Sequence, residues 1–471
     1  MESSIPPLPQ PHVLIAGAGL GGLLMGTLLE RIGIPYHIFE RAAKVKPLGS
    51  IMSLGPNVRP LFKQLGLEDD LLKISLPVPG TNIFNAKMEV MGVLKKTGQK
   101  EITGYDTVVF ARPALYDLLL KQIPTEKISF GKRILKTEEQ DDKVTIHCSD
   151  NSIHTGDILI GADGAYSSVR QNMYKRLQEK GELPKSDTED LSIGYTLMVG
   201  VATPKDKSKY PQMRDSFSHF STIVGDKSLS WGAYNVPGDQ ICWILSDQYQ
   251  DPDKAKQQKF RNSEWTPELN EAMINEFRDR VCPLGGTMGD LIDDTPKDLI
   301  SKVFIEEKMF KTWFHGRTVL LGDACHKMLP GAGQGAVNAF QDAAILANGF
   351  YDLKDLKIES ITAMFQDYYD QRFELAKAMV IQSHHATRIL GGQTWSDWII
   401  RWIMFNLVPE SFNRRTNAKR CEYRPQAAFL PLVPNMGNGK VLPQKPSWRY
   451  TEEQKQKQQQ QHQETQPAQA V

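Results

Sequence analysis

VLIAGAGLGG, from Val13 to Gly22, runs on through LLMGTLLERIG to Gly33 and then YHIFER to Arg41. The first part is a short continuous apolar run ending in glycines, and the second repeats its apolar residues at helical spacing until Gly33 stops it. YHIFER is another strand-like run, so the unit reads strand, glycine turn, helix, strand, the opening of a parallel sheet. Its glycines follow the pattern Gly17-x-Gly19-x-x-Gly22, with Glu40 closing the second strand. A tight turn, a pyrophosphate approaching bare backbone and a helix packed close to a strand each need glycine. The amide end of the helix favours phosphate, and a carboxylate at the end of the second strand can accept hydrogen bonds from a ribose diol. The stretch His12 to Leu29 is apolar enough to fill a membrane-span window, but a spanning helix leaves Glu30, Arg31 and Glu40 unexplained.

Further out, RPALYDLLLKQI reads as a helix started by Pro113 at its first position, where no amide is needed. Residues from Ile128 to Ile160 read as a β-meander returning to a sheet strand. From about Leu191 to Phe310 the pattern becomes spaced strands (IGYTLMVGV, LSWGAYNV, QICWIL) with a helical insert near Glu268 to Val281. This is a second, mainly antiparallel lobe inserted into the first domain. RTVLLGDACH restores a buried strand, Gly335 onward has helical spacing, and another long helix is expected over Ile361 to Arg388. The expected division is a flexible leader at 1–11, a discontinuous nucleotide-binding domain at 12–190 and 300–390, a β-rich substrate lobe at 191–299, an aromatic helical segment at 391–442 and a disordered Gln-rich tail at 443–471.

Composition narrows the class. Against 56 Lys and Arg stand 55 Asp and Glu, a net charge of +1 that gives no electrostatic reason to expect nucleic acid. Five cysteines (Cys148, Cys242, Cys282, Cys325, Cys421) lack metal-ligand spacing, and an odd count argues against a disulfide framework, so no metal is expected. MESSIPPLPQP has no basic start and reads as a leader, not a signal peptide, which points to the cytoplasm.

Two further motifs carry chemistry. Gly161-Ala162-Asp163-Gly164 follows the strand DILI and leads to Arg170; its aspartate can hold a loop near phosphate or ribose, or simply make a turn, and Arg170 suits either an anionic ligand or a structural pair. Gly322-Asp323-Ala324-Cys325-His326 ends a strand and leads into Pro330-Gly331-Ala332-Gly333-Gln334-Gly335, a glycine-rich loop opening a helix whose amide end can meet a polar ligand.

In this order the three motifs resemble the single-Rossmann FAD-dependent monooxygenases related to para-hydroxybenzoate hydroxylase, over most of residues 10 to 390. The resemblance implies an α/β fold: a Rossmann-like three-layer FAD-binding domain, an inserted antiparallel substrate lobe and a helical C-terminal region. It implies FAD bound by Gly17, Gly19, Gly22 and Glu40 at its ADP half, and by Asp163, which also serves NAD(P)H. Asp323 falls at the ribityl chain, the loop holding Ala336 at the isoalloxazine, and Arg112 at the FAD-contacting arginine. GSIMSLGPN (Gly49 to Asn57) resembles the loop along the flavin, with Ser53 where the family often has Gly or Ala. IPYHIFERA, FARPALYDLLL and GDACHKMLPGAGQGAVNAFQDA look most like fungal enzymes of terpenoid and meroterpenoid pathways.

The implied activity is epoxidation or hydroxylation of a hydrophobic prenylated, terpenoid or phenolic molecule, with NAD(P)H and O2, through a flavin C4a-hydroperoxide. No second GxGxxG follows a strand, so no separate nicotinamide domain is expected. A flavin-dependent prenyl reductase, similar to geranylgeranyl reductases, would keep the fold without using O2, and a non-catalytic prenyl- or lipid-binding protein is the remaining alternative. Tyr195 and Tyr234 can donate a proton or orient a phenol, or be buried tyrosines with ordinary hydrogen bonds. His326 reads as a proton carrier or a structural residue. The segment Trp395 to Val408 suits either an interfacial helix giving peripheral membrane contact or a helix packed on the core.

Overall fold

The computed structural model describes residues 7–140, 142–225, 228–248, 267–392 and 394–465. Along its first half run β1 (Val13–Ala16), α1 (Leu20–Ile32), β2 (Tyr36–Phe39), β3 (Ile51–Leu54), β4 (Gly80–Asn85), β5 (Val90–Lys95), β6 (Val108–Ala111), α2 (Arg112–Leu120), β7 (Ile128–Ser129), β8 (Ile158–Gly161) and α3 (Ser168–Glu179). Then come β9 (Ser192–Ala202), β10 (Phe220–Val224), β11 (Leu229–Val236), β12 (Gln240–Gln248), α4 (Pro267–Phe277), α5 (Met288–Asp293), β13 (Ser301–Met309), β14 (Phe314–His315), β15 (Thr318–Leu320) and β16 (His326–Lys327). Five helices follow: α6 (Gly335–Asp352), α7 (Ile358–Gly391), α8 (Trp395–Asn406), α9 (Glu410–Arg420) and α10 (Trp448–Thr465).

A six-stranded sheet of order β14-β15-β8-β1-β2-β7 carries the three glycine-bearing motifs. β1 lies inside it, parallel to both neighbours, with Leu14 opposite Leu159 and His37. All four β1 residues are buried, which is why that run shows no alternation. α1 and α6 pack on each other beside it, and the strands Ile134–Gln140, Lys143–Cys148 and Ile153–Gly156 add Val144 and Ile146 to the same core.

The second sheet has eight strands in the order β16-β13-β9-β12-β11-β10-β4-β5, antiparallel except where β10 runs parallel to β4. Alternation divides its side chains. Met198, Trp231, Trp243 and Leu245 pack with Met273 and Phe277 of α4 and Leu291 and Ile292 of α5. Tyr195, Leu197, Val199, Tyr234 and Val236 belong to other clusters, which include Leu329 and Ala111. The buried indoles are satisfied: Trp243 donates to Thr295 Oγ1 at 2.9 Å and Trp231 to the Val281 carbonyl at 2.8 Å.

Two boundaries differ from the sequence reading. The sheet assigned to 191–299 recruits β4 and β5 from residues 80–95 and β13 from 301–309. Alternation shows that a strand forms, not which sheet receives it. The tail expected to be disordered from residue 443 instead forms α10. Trp448 Nε1 donates to the Asp352 carbonyl at 2.9 Å, Ser447 Oγ donates to the Asp352 carboxylate at 2.5 Å, and Arg449 Nε donates to the Tyr351 carbonyl at 2.9 Å. These contacts dock the first turn on the end of α6, an anchor that a composition-based reading does not weigh. Residues 1–6 of the leader and 466–471 of the tail lie outside the described residues. All five cysteines are free and buried.

Candidate active site

The three glycines of the first motif do different work. Gly17 has φ +97°, and a Cβ there would stand 2.6 Å from the Ala162 carbonyl oxygen, so it lets the first loop touch the second motif. A Cβ on Gly22 would stand 2.1 Å from the Gly17 carbonyl oxygen, so this glycine lets α1 begin against its own turn. Gly19, the N-cap of α1, faces open space and leaves the helix end without a side-chain cap. Glu40 braces the turn, accepting from Ala18 N–H at 2.8 Å and Ala42 N–H at 2.9 Å.

In the second motif Asp163 Oδ2 accepts from the amides of Ser168 at 2.7 Å and Val169 at 3.2 Å, and Ser167 Oγ accepts from Arg170 N–H at 2.9 Å. Together they cap α3. Asp163 Oδ1 is buried with no protein partner, and burial raises its carboxyl above the ordinary range. Arg170 proves to be a staple: Nη1 donates to the Ala324 carbonyl at 2.8 Å, Nη2 to the Ala165 carbonyl at 2.6 Å, and the guanidinium lies 4.1 Å from the Phe310 ring centroid.

The third motif lies within reach of both the Gly49–Asn57 loop and Arg112. Asp323 accepts from Lys327 Nζ at 2.6 Å and exerts its charge on Arg112, whose ionisation burial nevertheless lowers. Arg112 donates through Nη1 to the Leu48 carbonyl at 3.0 Å and through its amide to the Ser50 carbonyl at 2.8 Å. A Cβ on Gly49 would meet Arg112 Cδ at 2.7 Å, and one on Gly333 would meet Ser53 Oγ at 2.9 Å. Ser53 and the loop before Ala336 are therefore neighbours. Gln334 caps α6 with no side-chain bond, and Gly335 faces open space.

Residues 10–383 match the family described as FAD binding domain. The chain belongs to this family and is an FAD-dependent monooxygenase. It is 27% identical over 468 residues to FAD-dependent monooxygenase paxM of Penicillium paxilli, covering 93% of this chain and 91% of that one. It is 28% identical over 404 residues to 6-hydroxynicotinate 3-monooxygenase of Bordetella bronchiseptica, covering 83% and 94%. In fold it is similar to Klebsiella pneumoniae HpxO, crystallised with FAD and uric acid: TM-score 0.65, 22% identity, 88% and 96% covered.

The residues of this FAD-dependent monooxygenase fit its cofactor. Open space before Gly19 and Gly335, at helix ends lacking side-chain caps, offers free amides to anionic and polar groups, and Asp163 Oδ1 is an unused acceptor.

Beneath the third motif lies a buried network that the sequence reading missed. Asp342 accepts from Gly322 N–H at 2.9 Å, from His326 Nε2 at 2.6 Å and from Arg372 Nε at 2.7 Å, and Arg372 Nη2 donates to Asn338 Oδ1 at 2.8 Å. Burial pushes the Asp342 carboxyl up, but the charges of His326 and Arg372 outweigh it and hold it at about 2. Burial likewise opposes the His326 charge, yet Asp342 raises this imidazole well above its usual range. His326 thus has the structural role. Cys325, His326 and Asp342 bring ligand atoms within 4.8 Å of one another, but a guanidinium already occupies Asp342 Oδ1. The available signal was Arg372 itself, a charge on the apolar stripe of a long helix.

The two tyrosine candidates are apart. On β12, Tyr195 is opposite Gln248 and Tyr234 opposite Cys242, six residues or about 20 Å along the strand. Tyr234 OH is 3.3 Å from Thr222 Oγ1, and its ring centroid is 4.2 Å from that of Phe220. Tyr195 lies in the field of Asp397, Arg388 and Arg401. Burial pushes both hydroxyls up to about 12. A cavity of about 180 Å³ between α7 and α8 is lined by His385, Arg388, Ile389, Asp397 and Ile400.

Proposed function

We propose that this monooxygenase uses NAD(P)H and O2 to epoxidise or hydroxylate a hydrophobic prenylated, terpenoid or phenolic small molecule. The observation that carries the reading is an apolar sheet face turned toward the cofactor motifs. Tyr195, Leu197 and Val199 pack with Leu329, just ahead of the α6 loop, while Tyr234 and Val236 pack with Ala111, the neighbour of Arg112. A hydrophobic molecule admitted between that buried face and the cofactor motifs would meet apolar side chains on one side and the flavin on the other.

In this reading Gly17, Gly19, Gly22 and Glu40 would hold the ADP half of FAD, Asp323 the ribityl chain, and Ser53 and Ala336 the isoalloxazine, with Arg112 in contact and Asp163 serving FAD and NAD(P)H. When bound, FAD carries electrons from the nicotinamide to O2 and supplies the oxygen-transfer chemistry. One oxygen atom enters the product and the other leaves as water, at the cost of NAD(P)H and a proton. The free amides of α6 favour negative charge before them, and Lys327 offsets Asp323. Tyr195 and Tyr234 stay protonated at neutral pH, so each can donate a hydrogen bond to a substrate oxygen.

The test is NADPH oxidation by the purified protein, with dissolved O2 and H2O2 followed together, against prenylated phenols, indole terpenoids and simple phenols. One compound class is expected to stimulate O2 uptake while H2O2 stays low. NADPH consumption without O2, with an alkene saturated, overturns the reading in favour of a reductase. Gly19→Ala, whose new Cβ meets no protein atom, is expected to fold normally and lose FAD occupancy.

A further inference from the structure

α8 is an amphipathic helix turned inside out. At about 100° per residue, Trp395, Trp398, Ile399 and Trp402 share an arc of about 100°, with Asp397 and Arg401 opposite. Here the charges face inward and the indoles face solvent: Asp397 and Arg401 are 2% and 3% exposed, whereas Trp395, Trp398 and Trp402 are 79%, 58% and 48% exposed. The inner face is fully used. Arg388 Nε donates to Asp397 at 2.6 Å, Arg401 donates to the Ile389 carbonyl at 2.8 Å and the Gly392 carbonyl at 2.5 Å, and Thr394 and Asp397 form a capping box. The exposed orientation of the tryptophans is thus imposed by the fold. Leu407, just past α8, and Phe412 of α9 are also exposed, at 61% and 60%.

The next helix supplies charge of one sign. α9 carries Arg414, Arg415, Lys419 and Arg420, all exposed, against Glu410 alone within it; Arg414 also pairs with Glu101 at 3.1 Å. No helix among the described residues is long and apolar enough to cross a membrane.

We propose that α8 and α9 dock this enzyme on an anionic lipid bilayer, with the indoles of α8 in the headgroup and acyl boundary and the cations of α9 on phosphate and carboxylate headgroups. The outer arc of α8 presents no charge to fix the register of a protein partner, and indole beside surplus cation is complementary to an anionic bilayer surface. Ile400, exposed on α8, also lines the cavity whose Arg388 and Asp397 act on Tyr195.

The test is flotation of the full chain with vesicles of phosphatidylcholine, with and without phosphatidylserine. The protein is expected to float with the mixed vesicles. Binding should fall roughly tenfold in Trp395→Ser/Trp398→Ser/Trp402→Ser, and roughly fivefold per cation removed in Arg415→Gln/Lys419→Gln. FAD content and NADPH oxidation in solution should stay at the starting level in both, which separates failure of docking from failure of the enzyme reading. Wild-type protein that ignores both vesicles overturns the proposal, as does a two-copy assembly in solution that the tryptophan variant dissociates while vesicles remain bare. Equal vesicle binding by wild type and tryptophan variant overturns it as well.

Discussion

Asp342 and Asp397 are both buried carboxylates, 0% and 2% exposed, and both accept from an arginine, yet they hold the molecule at different ranges. Asp342 joins Gly322, His326 and Arg372, which come from a turn, a strand and a long helix, and all its charged partners are fully buried. Asp397 joins Thr394 and Arg388, its neighbours in the α7–α8 corner, and the Arg388 side chain is 34% exposed. The first is a clamp on the global fold beneath the Gly322–His326 motif. The second fixes one helix against the next, where solvent screens part of the charge.

The largest effect is therefore expected from Asp342→Asn. It leaves Arg372 and His326 buried without their counter-charge, a loss of about 3–5 kcal/mol. Urea unfolding should show the midpoint falling, with FAD released at lower denaturant. A loss below about 1 kcal/mol would mean that water or relaxation replaces the carboxylate, and the contrast with Asp397 would collapse.

The same clamp sets a pH window. Asp342 is depressed from the ordinary value near 3.8 to about 2, so its stabilisation, about 2 kcal/mol, is present above pH 4 and lost as pH falls toward 2. His326 is raised above its ordinary 6.5, so its contribution is complete below that pH and disappears as pH rises through the folded value. The two together are strongest between about pH 4 and 6.5. Stability followed from pH 6 to pH 2 should drop in the wild type, with the drop reduced in Asp342→Asn; parallel curves would remove Asp342 as its cause.

The contrast also explains what was legible. Gly17, Gly19 and Gly22 announce themselves because a tight turn tolerates few other residues, and β1 does so because both faces are buried. Asp342 and Arg372 are 30 residues apart and meet only when α6 and α7 pack, so their pairing has no local trace. The strands at 80–95 pair locally with each other, but the sheet that receives them is set by β10, more than a hundred residues away in sequence. The aromatic helix is legible in the sequence, but which side of it faces water depends on Arg388 and Ile389 of the helix before.

Asp397→Asn should cost less, about 1 kcal/mol, since the Thr394 cap survives in part and Arg388 can turn to solvent. Burial raises the Asp397 carboxyl, and Thr394 and Arg388 more than offset this, so its stabilisation too is lost on acidification below its ordinary pKa. Near-ultraviolet circular dichroism of the α8 tryptophans should change while the unfolding midpoint moves little. A midpoint loss as large as that of Asp342→Asn would make the α7–α8 corner part of the global clamp.

The smallest effect separates the two ends of the sheet face. Tyr195 belongs to the Asp397 end, in the field of Arg388 and Arg401, and Tyr234 to the Arg112 end, packed with Ala111. Groups about 20 Å apart along a strand do not share a reacting atom, and substitutions that distant normally add. Tyr195→Phe and Tyr234→Phe should therefore combine in kcat/KM with a coupling below about 0.5 kcal/mol. A coupling above about 1 kcal/mol would mean that one bound substrate spans both ends and links them. The apolar face would then be one extended binding site, and the Asp397 corner would belong to the chemistry as well as to the fold.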